Sequence, residues 1–330
     1  MILSVRDLSV GFRLPGRELV AVDRISFDVE QGESFVIIGE SGSGKSLTGM
    51  SIAGLQPQTS FASGSIRFKD RELLNRPDAE LRRIRGREIG LIYQDPLGSL
   101  NPVWPIGDQI AEALSAHGLA SGKQAAMRAV ALLERVRIPD PARVANAYPH
   151  EISGGMRQRA MIAMALAAGP SLLIADEPTT ALDVTIKAQM LELLAELRRE
   201  LSLTIILITH DMGVVAEVAD RILVMYAGRI AEIGEADTVM RNPSHPYTAA
   251  LMTSAMISEA TPKHDLNAII GGAPALGAFP QGCRFHPRCP GAQADCNVVE
   301  PKMGAHGAVQ LACHHPIAWT GAARPLGITA

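Results

Sequence analysis

The stretch Gly39–Ser46, GESGSGKS, constrains this chain of 330 residues more than any other. It follows the apolar run SFVII and precedes SLTGMSIAGL, so the local order is strand, glycine loop, helix. Glycines at 39, 42 and 44 permit backbone conformations closed to other residues, and successive amides can then turn inward around an anion. The helix that starts near Lys45 aims its positive dipole end at the same place. A chain built this way needs a buried strand that ends where a helix begins, which is the signature of a layered α/β fold. All eight positions match G-x-x-x-x-G-K-[ST] in the flanking context that motif requires. Gly39, Glu40, Ser41, Gly42, Ser43, Gly44, Lys45 and Ser46, with Thr48 just inside the helix, are therefore candidate nucleotide-binding residues. Lys45 is expected to reach the β- and γ-phosphates and the Ser46 hydroxyl to ligate Mg²⁺.

Three further apolar runs, Leu172 to Ala175, Thr204 to Ile208 and Ile222 to Met225, join Phe35 to Ile38 as short segments bounded by turn or polar residues. They read as strands of a mostly parallel sheet buried on both faces. Between them Ile186 to Leu201 repeats leucine and alanine at helical spacing among Glu and Arg. Residues 95 to 149 hold no strong strand pattern and read as a helical insertion. Hydrophobic residues make up 47% of the chain and charged residues 20%, which excludes a disordered polypeptide.

The run SLLIADEPTTALD delivers Asp176 and Glu177 at the C-terminal end of a strand, where open α/β sheets bind ligands. A carboxylate pair after a strand often only caps a helix. Beside a phosphate loop, Asp176 is expected to hold Mg²⁺, and Glu177 to act as general base or to orient the attacking water, since phosphoryl transfer asks mainly for positioning and charge neutralisation.

Together with ISGGMRQR at 152 to 159, these motifs make the chain resemble the nucleotide-binding subunit of ATP-binding cassette (ABC) transporters. That segment resembles the family signature, here Ser153, Gly154, Gly155 and Met156, with methionine where the family usually has glutamine. Gln94 in IYQDP resembles the glutamine that reaches Mg²⁺ and the attacking water, Asp183 in ALD resembles the aspartate of the family's D-loop, and His210 in LITHD resembles the switch histidine at the γ-phosphate. Phe12 in VGFRLP is similar to the aromatic that stacks on adenine. The resemblance implies a P-loop NTPase cassette over residues 1–240, with a RecA-like core, an antiparallel β subdomain and a helical subdomain at about 95–165. It also implies ATP and Mg²⁺ as ligands. In the family the signature acts across a dimer, so a second ABC ATPase subunit, a paralogue or a second copy of this chain, is implied as partner.

The segments YQDPLGSLNPVWPIGDQI, EPTTALDVTIKAQML and NPSHPYTAAL are similar to the oligopeptide/dipeptide importer branch. Membership implies ATP hydrolysis that powers peptide import, with nickel and peptide-antibiotic importers of the same branch, or a soluble cassette ATPase, as alternatives. The implied partners are two membrane permease subunits and a periplasmic or extracellular substrate-binding protein. The implied location is peripheral, on the cytoplasmic face of the cell inner membrane. Residues Asp95 to Trp104 would lie where the cassette receives a coupling helix, or would form an ordinary surface loop.

Residues 241–330 read as an extension that carries all four cysteines, Cys283, Cys289, Cys296 and Cys313. The reading MILSVRDLSV has no secretion pattern, so a reducing compartment is expected and structural disulfides are not. The residue pattern leaves three options open: a [4Fe–4S] cluster, zinc with help from His286, His306, His314 or His315, or unligated thiols. Similarity to peptide-importer cassettes implies the cluster, as a staple for a small extension without a core.

The formal net charge of -3 provides no global basic field. The Arg82, Arg83, Arg85 and Arg87 patch has no interleaved aromatics and reads as a solvated helix face, so no nucleic-acid partner is expected. Only 106 residues separate Ser46 from Ser153, too few for the long coiled coil of the DNA-repair relatives.

Overall fold

Every residue of the strands Ser34–Ile38 and Thr204–Ile208 is buried, and nearly every residue of Leu172–Asp176 and Arg221–Tyr226. These are the four apolar runs read from the sequence, and strands without a polar face must be covered on both sides. The computed structural model describes residues 1–93, 96–178, 184–260, 269 and 271–318. The chain divides into two units, one of Met1–Val29, Ser34–Leu74 and Ile208–Ala330, the other of Glu30–Glu33 and Asn75–Leu207.

The first unit holds two sheets. In one, Leu3–Leu14 pairs antiparallel with Arg17–Val29 on one side and Ser60–Phe68 on the other, and Arg71–Glu72 adds a short edge. Buried Leu3 and Val5 and, past the register shift at Arg6 and Asp7, Leu8 and Val10 give this sheet an apolar face. In the other, Ser34–Ile38 runs parallel to Arg221–Tyr226, with Ile38 opposite Val224. That strand turns through Ala227 and Gly228 into antiparallel Arg229–Glu235, which in turn pairs with Val309–Leu311 and its hairpin partner Gly304–His306. Phe27 of the first sheet stacks on Phe35 of the second with ring centroids 5.3 Å apart.

The second unit combines strands and helices. Ile89–Ile92 runs parallel to Leu172–Asp176, and the amide of Thr204 donates to the Ser171 carbonyl (3.1 Å) at the start of the next strand. The helices Ile106–Ala116, Gly122–Arg135, Pro141–Ala145 and Gly154–Leu166 pack together through Ile106, Ile110, Leu114, Ala129, Leu133 and Val144, all buried. The buried Gln109 side chain accepts from the Asn101 amide and donates to the Asn101 and Trp104 carbonyls, tying down the turn that exposes Val103 and Trp104. Val184–Leu201 is an amphipathic helix that buries Met190, Leu191, Leu193, Leu194 and Leu197. Among the described residues no helix is long and apolar enough to cross a membrane.

Candidate functional site

The loop after Ser34–Ile38 is fixed by close backbone approaches. Gly39 has φ +149°, and a Cβ there would stand 2.2 Å from the Met225 carbonyl oxygen. Gly44, at φ +101°, precedes the helix Lys45–Ile52 in a left-handed conformation that only glycine adopts without strain. The amide of Gly228, at the tip of the neighbouring hairpin, donates to the Ser43 carbonyl (3.0 Å). The Lys45 ammonium is buried under the loop and donates to the Gly39 and Glu40 carbonyls at 2.7 and 2.9 Å. The Thr48 hydroxyl donates to the Gly44 carbonyl at 2.9 Å, which braces the first helical turn. Ser41 and Gly42 face solvent at the crest, and Ser46 is half-buried. The Ser43 hydroxyl is buried yet has no hydrogen-bond partner among the described residues. A concave loop with a buried lysine and an orphaned hydroxyl suits a phosphate, which offers acceptors to both.

His210 and Phe12 lie in the same unit as this loop. The amide of Thr209 donates to the Ile37 carbonyl (3.1 Å), so the exposed His210 emerges beside the strand that feeds the loop. Asp211 then caps the helix Met212–Val218 through the amides of Gly213 and Val214. Phe12 is half-buried in the antiparallel sheet, between Leu19 and Ser60.

The second unit holds the acidic pair and the signature. Asp176 closes the strand Leu172–Asp176, and Glu177 follows with φ +46°. That left-handed backbone is uncommon for a glutamate and re-aims its carboxylate relative to the strand direction. Ser153 caps the helix Gly154–Leu166 by accepting the Met156 amide at 3.3 Å, and both Ser153 and Gly154 are exposed. A Cβ on Gly155 would stand 3.0 Å from Ile186, so the first turn lies close against the neighbouring helix. The helix N-terminus therefore presents unpaired amides to solvent, a surface suited to an anion. Gln94 and Asp183 lie outside the described residues.

All four cysteines are free thiols in the first unit. The Cys283 amide donates to the Cys296 carbonyl (2.8 Å), and Gly282 has φ +64° with its Cα too near that carbonyl for a side chain. The 3-10 turns His286–Arg288 and Ala294–Asn297 carry the chain from one thiol to the next. Burial pushes the Cys283 and Cys289 thiols above their usual range, and Cys313 up to about 11, with Cys283, Cys289 and Cys296 adding to the Cys313 shift. Negative charge on its neighbours thus disfavours a thiolate at Cys313, which needs a compensating positive charge. Of the histidines, His286 Nδ1 meets the Cys283 carbonyl, His314 Nε2 the Val299 carbonyl, and His315 Nε2 the Asp295 carboxylate at 2.9 Å. Among the described residues, Asp295, Cys296 and His315 bring donor atoms within 4.8 Å of one another.

Residues that sequence reasoning did not single out hold this segment in place. Phe285 is buried against Tyr226, Tyr247 and His245, at 5.2, 5.3 and 6.0 Å between ring centroids. Arg284 stacks on Phe279, donates to the Ala227 carbonyl and pairs with Asp23, which also pairs with Arg229 at 2.7 Å. The buried Glu232 accepts the amides of Ser244 and His245, and burial raises its carboxyl. Burial lowers His245 to about 4, so it stays neutral and its Nδ1 accepts the Tyr247 amide. Only the HPY triplet at 245–247 and the alternation of Arg284, Phe285 and Arg288 signalled any of this in the sequence.

Residues 22–180 match the family described as ABC transporter, and residues 231–296 match the oligopeptide/dipeptide transporter C-terminal region. The dipeptide transport ATP-binding protein DppD of Bacillus subtilis is 49% identical over 307 residues, covering 91% of this chain and 90% of that protein. The DppD protein of Haemophilus influenzae is 47% identical, covering 96% of each. The oligopeptide transport ATP-binding protein OppD of B. subtilis is 49% identical over 86% of this chain and 80% of its own length. Among solved structures, the ATP-binding cassette MJ0796 in a dimeric post-hydrolysis state bound to ADP and Pi superposes with a TM-score of 0.64 and 28% identity, over 71% of this chain and 99% of that one.

Proposed function

Since the chain belongs to the ABC transporter family, as an ATP-binding subunit of the oligopeptide/dipeptide branch, we propose that it hydrolyses ATP to power the import of peptides. The observation that carries this reading is the joint match, in one chain, of the cassette region and the branch-specific C-terminal region, with peptide-transport relatives aligned over about nine-tenths of its length.

The roles follow from chemistry. The amides of Gly39 to Lys45 take the β-phosphate, Lys45 leaves its loop carbonyls for the β- and γ-phosphates, and Phe12 stacks on the adenine. Ser46, Asp176 and Gln94 would hold Mg²⁺, which would supply charge neutralisation at the phosphates. Glu177 takes the proton of the attacking water and His210 donates to the γ-phosphate. Ser153, Gly154, Gly155 and Met156 close on the nucleotide of a second cassette, with Asp183 at the dimer contact. The second cassette is a paralogue or a second copy, and closure and reopening are relayed to two permease subunits fed by a substrate-binding protein. Exposed Tyr93, Val103 and Trp104 suit a permease contact, in keeping with a peripheral site on the cytoplasmic face of the membrane.

For the four cysteines we infer a [4Fe–4S] cluster rather than zinc. Thiolates at about 2.3 Å from one zinc ion lie about 3.8 Å apart, whereas among the described residues the donor group within 4.8 Å joins Cys296 to Asp295 and His315 rather than to the other thiols. A cluster of several irons would take four thiolates at wider spacing than one zinc ion does. Purification without oxygen should give about four irons and four sulfides per chain. Stoichiometric zinc, or no metal, would overturn that assignment.

The catalytic reading is tested by Glu177→Gln. Nucleotide-driven dimerisation should persist while turnover falls about 10²- to 10⁴-fold, the range for loss of a general base. Equal turnover in mutant and wild type would remove Glu177 from the reaction. In the reconstituted transporter, a peptide-loaded binding protein should stimulate ATP hydrolysis, and stimulation by a nickel-loaded one alone would redirect the substrate class.

A further inference from the structure

We propose that Arg288, in the cysteine-bearing segment, is a positioning residue of the phosphate-binding loop, acting by clamping the Glu40 carboxylate. The inference rests on the ATP-binding reading above and deepens it.

Glu40 is the second residue of the loop, and its two ends are held by different parts of the C-terminal segment. Its backbone N–H donates to the hydroxyl of the fully buried Tyr247 at 2.8 Å. Its carboxylate meets Arg288 in a two-pronged pair, Nη1 to Oε2 at 2.6 Å and Nη2 to Oε1 at 2.9 Å. The Arg288 side chain is only 6% exposed. It stands 5.8 Å from the centre of the Tyr226 ring, and it donates to the Tyr226 hydroxyl at 3.3 Å and to the Gly271 and Ile269 carbonyls at 3.0 and 3.3 Å. A guanidinium fixed on so many sides is not a surface arginine that found a carboxylate. It is a preset fork, and a fork with two parallel bonds sets direction as well as charge.

The position of Glu40 gives the clamp its consequence. A loop whose amides converge on an anion is weakened by a carboxylate at its edge unless that charge is matched. Arg288 matches it and fixes the side chain, while Tyr247 fixes the amide of the same residue. The neighbouring carbonyls of Gly39 and Glu40 are those that hold Lys45. Removing the guanidinium should leave an anion beside the phosphate site and let the loop's second residue move, so that nucleotide binds more weakly. Tyr226 and Tyr247 pack on Phe285, three residues before Arg288, which seats the fork relative to the loop.

The test is calorimetric binding of magnesium–ADP to the full chain, for wild type, Lys45→Ala, Arg288→Gln, Arg288→Lys, Glu40→Gln and the Glu40→Gln/Arg288→Gln pair. Iron, sulfide and zinc are assayed in each. Arg288→Gln should raise Kd about tenfold or more, the scale of a lost charge-assisted pair, with the KM for ATP rising by the same factor and kcat falling by less. Arg288→Lys, which keeps the charge but cannot fork, should fall between. In the Glu40→Gln background the Arg288→Gln change should cost little, because the anion it neutralises is gone. Wild-type affinity in Arg288→Gln would overturn the proposal. So would an equal loss in both backgrounds, since that marks a general support of the fold. If Arg288→Gln does not fold or loses metal, Arg288→Lys carries the same comparison in the two backgrounds. Wild-type affinity in Lys45→Ala would instead overturn the nucleotide-site reading beneath it.

Discussion

The phosphate loop and the cysteine segment belong to one structural unit but are built on opposite terms. The loop takes its shape from eight consecutive residues between a buried strand and a helix, and its glycines answer to backbone geometry within or beside it. The cysteine segment has two 3-10 turns, a hairpin of three-residue strands, and few buried apolar side chains beyond Phe285, Val309 and Leu311. It is held from outside: by strand pairing to Arg229–Glu235, by Phe285 in an aromatic pocket, and by Arg284 and Arg288 on carboxylates more than 200 positions away. Local demands confine a motif to a stretch of sequence, whereas docking demands scatter it.

The sharpest way to break this contrast is Gly39→Ala. The new methyl meets the Met225 carbonyl at 2.2 Å in a conformation hostile to L side chains, a strain on the order of 2–5 kcal/mol. Nucleotide binding should be lost, read by magnesium–ADP calorimetry, with the cysteine segment's metal content unchanged. A loop that still binds with wild-type affinity would show that its shape is not set by this approach.

That prediction rests on features legible in the sequence, and the contrast explains why others were not. The strand before the loop, the helix after it and the acidic pair at a strand end all follow from spacing within about fifteen residues. The left-handed Glu177 does not, because nothing in ADEP demands a positive φ. The Arg288–Glu40 pair spans 248 positions, and an arginine among prolines and cysteines carries no mark of its partner. The addition of Val309–Leu311 to the sheet was equally hidden, since a three-residue strand is too short to show alternation.

Phe285→Ala tests the docked side of the contrast. Truncating a buried aromatic costs about 3–5 kcal/mol, and here the loss falls on Tyr226, Tyr247 and His245, which line its pocket. The thermal midpoint should drop, and proteolysis should begin between residues 271 and 318. If the segment is only a passenger, magnesium–ADP affinity will be untouched in protein that remains folded. If its docking seats Arg288 on Glu40, affinity will fall together with stability.

Asp23→Asn is the smallest of these perturbations and separates charge from packing. Burial alone would raise the Asp23 carboxyl, but hydrogen bonds and charges from Arg229, Arg284 and Arg24 outweigh it and hold the group below its ordinary value of 3.8. A carboxyl depressed in the folded state stabilises the fold fully above that ordinary value, and the contribution fades as pH falls through the lower folded value. Asp23→Asn should therefore cost about 1–2 kcal/mol near neutrality, softened because Glu300 still pairs with Arg229 and Arg24. The gap in thermal midpoint between wild type and mutant should hold down to about pH 4 and close below it. A gap independent of pH would mean that Asp23 acts through shape, and that Arg284 is held by its stacking on Phe279 and its bond to Ala227. The Arg284 anchor of the docked segment would then owe its place to packing, leaving the Arg288–Glu40 pair as an ion pair through which the segment bears on the loop.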